Sequence, residues 1–162
     1  MPLRSDWSEK SCPMARCLDV LGDPWAMLVM RDVLSGDRRF DELRSRLDVA
    51  DSVLSKRLAA LCEAGLLEKV PYTGTVRPRY EYHPTAAGRD TAPILQALAR
   101  WGDKHNTPPA LEWTALEVYC RRCGTEATES ADWCVSCRAP LRPESTAWIR
   151  PSQWDDVRPL AI

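Results

Sequence analysis

The chain has 162 residues, 44% hydrophobic and 28% charged, with a formal net charge of −1. That length suits one globular domain plus a small module, the composition is that of an ordinary soluble protein, and the near-neutral charge excludes a partner held by bulk electrostatics alone. Nothing in the sequence is apolar for the roughly 18 residues a membrane span needs. The opening M-P-L-R-S-D-W-S-E-K has no apolar signal core, so a cytoplasmic location is expected.

Residues 1–11 are polar. Pro13 stands where a first helical turn tolerates it, and Met14, Leu18 and Leu21 make an apolar stripe that ends near Gly22. Asp23-Pro24 is a cap followed by an N1 proline. It opens a helix running to Gly36 that is apolar around most of its circumference, as expected of a core helix. Arg38-Arg39-Phe40 reads as a short strand or an entry turn. Asp41–Leu47 reads as a short helix whose Arg44 and Arg46 either reach phosphates or are plain solvated residues.

The next stretch, Asp51 to Gly65, organises the rest. Leu54, Leu58, Leu61 and Cys62 fall on one helical stripe, with Ser52, Lys56 and Ala59 near the opposite side. Gly65 is placed to end the helix, and Asp51 to cap its start. A hairpin follows: Leu66–Tyr72, a turn at Thr73-Gly74-Thr75, then Arg77–His83, with Tyr80 and Tyr82 alternating with polar residues. Helix, turn, helix and basic hairpin in that order define a winged helix-turn-helix, with 51–65 offered to the major groove. Between residues 31 and 79 ten Lys/Arg stand against eight acids, so DNA binding rests on where the basic groups sit rather than on their excess. Arg77 and Arg79 flank the hairpin tip, as a wing on the DNA backbone or as a solubilising turn.

Thr85 can cap a further helix, Ala86 to about His105, weakened early by Gly88 and Pro93. Its Ile94, Leu98 and Trp101 share a face suited to dimer formation or to packing on the first helix. Thr107-Pro108-Pro109 reads as a linker. A strand from Leu111 to Tyr119 then leads into Cys120-Arg-Arg-Cys123-Gly124, and Cys134-Val-Ser-Cys137-Arg138 follows. Residues 141–162, rich in proline and holding Trp148 and Trp154, receive no fold from their pattern.

Seven cysteines and no leader argue against a disulfide scaffold. Two C-x2-C pairs are metal-ligand spacing: each turn aims two thiolates at one ion. Four protein ligands leave no open position, so Cys120, Cys123, Cys134 and Cys137 are expected to hold a structural Zn²⁺, with a rubredoxin-like iron site or two disulfides as the competing uses of the same residues. Gly124 suits a tight knuckle, and Arg138 in the matching place predicts a less regular second one. Arg121, Arg122 and Arg138 offset the charge of a zinc tetrathiolate. Few other residues surround the site, so the ion is expected to fold it.

Cys12-Pro13, Leu18-Asp19, Gly22, Pro24-Trp25, Arg39-Phe40-Asp41-Glu42-Leu43, Val53-Leu54-Ser55, Arg57-Leu58, Glu63-Ala64-Gly65-Leu66, Tyr80, Tyr82, Thr85, Gly88, Leu98 and Trp101-Gly102 appear in an order and spacing that resemble the HxlR family of bacterial winged-helix regulators, over about residues 11–105. The resemblance implies a homodimer on a palindromic operator, joined through the first helix and the 86–105 helix, most often as a repressor. It also places Cys12 where several members sense oxidants or electrophiles. A buried packing residue is the competing use of Cys12, and Cys17, one turn on, belongs with the core. Unlike much of the family, the recognition stretch opens on Asp51-Ser52, and residues 110–162 lie outside the usual domain.

The expectation is therefore a mainly α winged helix-turn-helix with a small β-hairpin wing, plus a small C-terminal β zinc ribbon. Its parts are a DNA-binding domain at 11–106, a linker at 107–111, a zinc ribbon at 112–142 and a tail at 143–162. The expected partner is double-stranded DNA, contacted by Ser52, Ser55, Lys56, Arg57, Arg44, Arg77 and Arg79. The expected effector is a small molecule or oxidant. An adaptor using both modules as protein-docking surfaces is the alternative. Only two histidines exist, His83 and His105, neither near a nucleophile or carboxylate constellation, and no phosphate loop is present, so an enzyme is not expected.

Overall fold

Helix α2, Pro24–Leu34, forms the centre of the N-terminal half. The protein is described here from a computed structural model over residues 6–72, 79–106, 117–127, 133–141, 146–149 and 158–159. Pro24 supplies the fixed φ of a first helical residue. Asp23 Oδ1 accepts from the N–H of Trp25 at 2.9 Å and of Ala26 at 3.1 Å, two donors a helix start leaves free. Val29, Met30, Val33 and Leu34 are fully buried, so the helix that is apolar all round is indeed the core helix.

The chain divides into two compact units. One takes in the chain up to Val33 and again Asp37–Arg89; the other takes Leu34–Gly36 and everything from Asp90. In the first unit, α1 (Pro13–Leu21) buries Leu21 alone, leaving Met14, Leu18 and Val20 exposed. Helix α3 (Phe40–Leu47) begins with Glu42 Oε2 accepting from the N–H groups of Arg38 and Arg39, at 3.0 and 2.9 Å. Its last turn closes on Asp48 in the left-handed region, φ 48°. Helix α4 (Asp51–Glu63) follows after Val49 and Ala50, and buries Leu54, Leu58 and Leu61. Its N-cap is Ala50, not Asp51. Asp51 is already inside the first turn, where its carboxylate faces Arg44 instead of a backbone amide.

Gly65, at φ 72°, reverses the chain after α4, and the Leu66 N–H returns to the Leu61 carbonyl at 2.9 Å. Strands β1 (Leu67–Tyr72) and β2 (Arg79–Pro84) then pair antiparallel, Leu67 with Pro84 and Tyr72 with Arg79. Arg39 bridges Glu81, and the Tyr82 N–H donates to the Arg38 carbonyl at 2.8 Å, so the 38–40 stretch is both a one-residue strand edge and a helix entry. Tyr82 is buried, while Tyr80, nearer the wing tip, is exposed. The turn expected at Thr73-Gly74-Thr75 and the Arg77 position lie outside the described residues, as does the linker at 107–111.

The single helix expected over 86–105 is two helices, α5 (Ala86–Arg89) and α6 (Ala92–His105), broken at Asp90-Thr91. Pro93 explains the break: it donates no N–H and its ring would meet the carbonyl one turn back, so it begins a helix rather than continuing one. Thr85 locks α5 to the start of the hairpin. Its hydroxyl donates to the Gly65 carbonyl at 2.6 Å and accepts from the Gly88 N–H at 3.1 Å.

In the second unit α6 buries Ala92, Leu95 and Gln96 on one side and exposes Ile94, Leu98 and Trp101 on the other. Strands β3 (Glu117–Cys120), β4 (Thr146–Ile149) and β5 (Arg158–Pro159) form a sheet in the order β3-β4-β5. The segment 143–162, whose pattern assigned it no fold, supplies two strands; Trp148 lies in β4, and Trp154 is outside the described residues.

Candidate functional site

Two arrangements carry chemistry. In the first, packing of Leu54, Leu58 and Leu61 turns the other side of α4 outward. Ser52, Ser55, Lys56 and Ala59 are exposed there, a hydroxyl-rich face with one lysine. Arg57 lies to the side. Its Nη2 stands 2.7 Å from Asp23 Oδ2, with side chains 31% and 26% exposed, so it ties α4 to the cap of α2. Arg46 is held likewise, 2.7 Å from the buried Asp37 carboxylate. Arg44 is exposed, and its Nη1 meets Asp51 Oδ1 at 3.4 Å.

The wing adds Arg79, exposed at the first position of β2. It also adds two groups the sequence reading missed. Lys69, exposed on β1, holds its Nζ 5.9 and 5.8 Å from the ring centres of Tyr80 and Tyr82. Arg39 lies 4.8 Å over Tyr72 and hydrogen-bonds Glu81 at 3.2 Å, which raises its pKa. The signal for Lys69 was its cross-strand place opposite Tyr82; the signal for Arg39 was absent, because Glu81 is remote in sequence. Glu81 is held below the usual carboxylate range by its hydrogen bond to His83 and, after that, by Arg39.

The second arrangement is the thiol cluster. Cys120 and Cys137 sulfurs stand 3.6 Å apart, Cys123 and Cys134 sulfurs 3.5 Å, and all four lie within 4.8 Å of one another. A disulfide needs about 2.05 Å. The edge of a tetrahedron with metal–sulfur bonds of about 2.3 Å is about 3.8 Å. The geometry and the all-sulfur donor set therefore fit one closed, four-coordinate ion.

The two knuckles are built alike. The Gly124 N–H donates to the Cys120 carbonyl at 2.8 Å and the Arg138 N–H to that of Cys134 at 3.0 Å. Cys120 and Cys134 in turn donate to the Thr125 and Ala139 carbonyls at 2.9 and 2.8 Å. Gly124 has φ 71° and Arg138 φ 58°, so the second knuckle is as regular as the first and carries the strain of a side chain in the left-handed region. Cys120, Cys134 and Ala139 are the buried centre, with Cys137 and Leu141 packed against them. The thiols are unequal. Hydrogen bonding with the Thr125 side chain and backbone draws Cys123 down to about 6. Cys137, although the Ala139 N–H pulls it down, is pushed up to about 11 by burial and the neighbouring thiols.

Of the other cysteines, Cys12 is exposed at the N-cap of α1 in the single chain. Cys17 is half-buried. Cys62 is half-buried, and burial pushes its thiol up, away from reactivity. Among the described residues no helix is long and apolar enough to cross a membrane.

A two-helix unit with a short turn, an outward second helix and a two-stranded wing defines the winged helix-turn-helix class of DNA-binding proteins. Comparison with known proteins agrees with the geometry. Residues 20–109 match the profile described as HxlR-like helix-turn-helix. An uncharacterized HTH-type transcriptional regulator of Mycobacterium tuberculosis is 35% identical over 114 residues, 70% of each chain. Among solved structures, PA1607, a candidate transcription factor, superposes with a TM-score of 0.69 at 33% identity over 88% of this chain and 96% of its own, more than the segment up to residue 109 alone supplies. The redox regulator HypR in its reduced form superposes with a TM-score of 0.53 at 29% identity, over 57% of this chain and 92% of its own.

The chain belongs to the HxlR family and is a helix-turn-helix transcription regulator. The family and these relatives are regulators rather than enzymes.

Proposed function

We propose that the chain acts as a homodimeric repressor on a palindromic operator, each copy laying α4 in a major groove and its wing on the flanking backbone. The observation that carries this reading is the outward face of α4. Leucines lock the helix from below, Ser52, Ser55 and Lys56 are left to read base edges, and Arg44, Lys69 and Arg79 stand nearby for phosphates. Arg77, outside the described residues, belongs to the same proposed set. Arg57 serves as a brace in this reading rather than as a contact. Lysine suits guanine acceptors, and serine accepts or donates to either partner of a pair.

A second copy is supported by the two exposed apolar faces: Met14, Leu18 and Val20 on α1, and Ile94, Leu98 and Trp101 on α6. Each would leave water in a dimer. The four-cysteine cluster is assigned Zn²⁺ as a structural ion, which substitutes for a hydrophobic core in a module too small to build one. Oxidant sensing through Cys12 is supported by its exposure and by the name of the similar protein HypR, a redox regulator.

The test is fluorescence anisotropy on the DNA upstream of the chain's own gene, against scrambled DNA, across salt. The expected result is preference for the upstream DNA, falling affinity with salt, and for Arg79→Ala a slope in log salt smaller by about 1 per half-site. Equal, weak binding to both DNAs, unaltered in the variant, would overturn the reading and favour protein docking.

A further inference from the structure

The described residues offer a direct physical line from the thiol cluster to the apolar face of α6. Cys120 ends β3 and is the cross-strand partner of Thr146, the first residue of β4. Thr146 is buried, and its hydroxyl accepts from Gln96 Nε2 at 3.3 Å. Gln96 is buried on the inner side of α6, and its Oε1 accepts in turn from Arg100 Nη2 at 3.5 Å. On the outer side of the same helix Ile94, Leu98 and Trp101 are exposed, two residues before Gln96 and two and five after it. A metal ligand, one strand pair, one buried hydrogen bond and the helix thus follow in sequence.

This geometry bears on what sets the position of α6. Around the sulfurs the only buried apolar side chain among the described residues is Ala139, with Leu141 packed against it. Four thiols, two of them buried, do not make a stable centre alone; four thiolates on one ion do. With the ion gone, Cys120 loses what fixes the end of β3. The β3–β4 pairing then loses its anchor beside Thr146, and Gln96 loses a partner on the inner side of α6. A buried amide without its partner is costly, so α6 must shift or fray there.

We propose that the four-cysteine cluster is the effector site of this regulator: a thiophilic divalent ion, Zn²⁺ first, bound there sets the pose of α6 through Thr146 and Gln96 and thereby governs dimer formation. The proposal rests on α6 being part of the dimer interface. The ion's role then goes beyond folding a ribbon: its occupancy is read by DNA affinity, because a palindrome is held by two copies together. The coupling is reciprocal, so dimer formation tightens the metal. Arg121, Arg122 and Arg138, exposed beside the site, favour the −2 charge of the loaded tetrathiolate.

The experiment is sedimentation equilibrium of the full chain under reductant, loaded with one Zn²⁺ and after stripping with EDTA, alongside Gln96→Leu and Thr146→Val, with bound zinc measured in every sample. Stripping is expected to weaken the wild-type dimer roughly 5–150-fold, the range of ordinary allosteric coupling. Gln96→Leu and Thr146→Val should keep their zinc and lose most of that response. These two variants retain all four ligands, so they answer the question even if cysteine variants fail to fold. An equal dimer constant with and without zinc in the wild type would overturn the coupling. So would a full response in zinc-bound Gln96→Leu. A chain that is monomeric in both metal states, yet still binds zinc, would instead overturn the dimer reading on which the proposal stands.

Discussion

Asp23 performs two tasks with its two oxygens, and separating them tests how α4 is held. Oδ1 caps α2 through the amides of Trp25 and Ala26, and Oδ2 meets Arg57 at 2.7 Å. Losing a side-chain cap costs about 1 kcal/mol. The pair lies between two regimes: fully exposed pairs contribute about 0.2–1 kcal/mol, whereas breaking a buried one costs about 3–5. With 31% and 26% of the side chains exposed, about 1 kcal/mol is the appropriate figure. Asp23→Ala should therefore cost about 2 kcal/mol, and Asp23→Asn, which keeps a capping oxygen and loses the charge, about 1. At a urea dependence of about 2 kcal/mol/M, the midpoints fall by about 1 M and about 0.5 M. The assay is urea unfolding followed by circular dichroism, closed into a double-mutant cycle with Arg57→Ala. Equal losses in Asp23→Ala and Asp23→Asn, or a coupling energy of zero in the cycle, would refute the two-task account. A salt slope for DNA that drops in Arg57→Ala while the fold is intact would return Arg57 to the phosphates.

Gly88→Ala should destabilise the first unit by about 1–3 kcal/mol, because a Cβ there would overlap the Leu66 carbonyl oxygen and come 3.3 Å from Met30 Cε; thermal unfolding measures it. The wing should loosen in acid. The lowered pKa of Glu81 means its contribution is complete above the unfolded value and is lost as pH falls through the folded one, below the ordinary glutamate range. Amide exchange at Tyr82 across pH 5 to 2.5 follows this, and protection that stays constant would contradict it. Cys12→Ser should abolish release from DNA by diamide, with cysteines at the metal site unaltered; release at the wild-type dose in that variant would end the sensor assignment.

The order of elements in the first unit was readable because each signal was local. Leu54, Leu58 and Leu61 declare their stripe and Asp23-Pro24 declares a helix start; in the second unit the two C-x2-C pairs declare their sulfurs in the same local way. What could not be read depended on partners elsewhere in the chain. Arg57 and Arg46 look like free cations until Asp23 and Asp37 are placed beside them. Asp51 resembles a cap, but the three-residue turn from α3 brings Arg44 to its carboxylate and leaves Ala50 at the boundary. The break at Asp90-Thr91 was foreshadowed by Pro93, yet how near Gly88 lies to Leu66 is a tertiary fact. Strands β4 and β5 had no readable pattern, since a four-residue and a two-residue strand are too short for alternation to register. Arg138 was judged by its side chain, whereas its place in the knuckle is set by backbone hydrogen bonds that any residue tolerating a positive φ can make.

The pairing of Cys120 with Thr146 also constrains the order in which the second unit can assemble. Brought together unaided, these residues close a loop of twenty-six chain steps, whereas only nine separate Thr146 from Cys137. Once one ion ties Cys137 to Cys120, β4 has only the shorter loop to close. That lowers the entropic barrier to pairing by about 1 kcal/mol, several-fold in rate. An ion bound there would thus be a nucleus for β3–β4 pairing, and a chain made without it would reach the same sheet late, with its strand edges exposed to neighbouring chains in the interval.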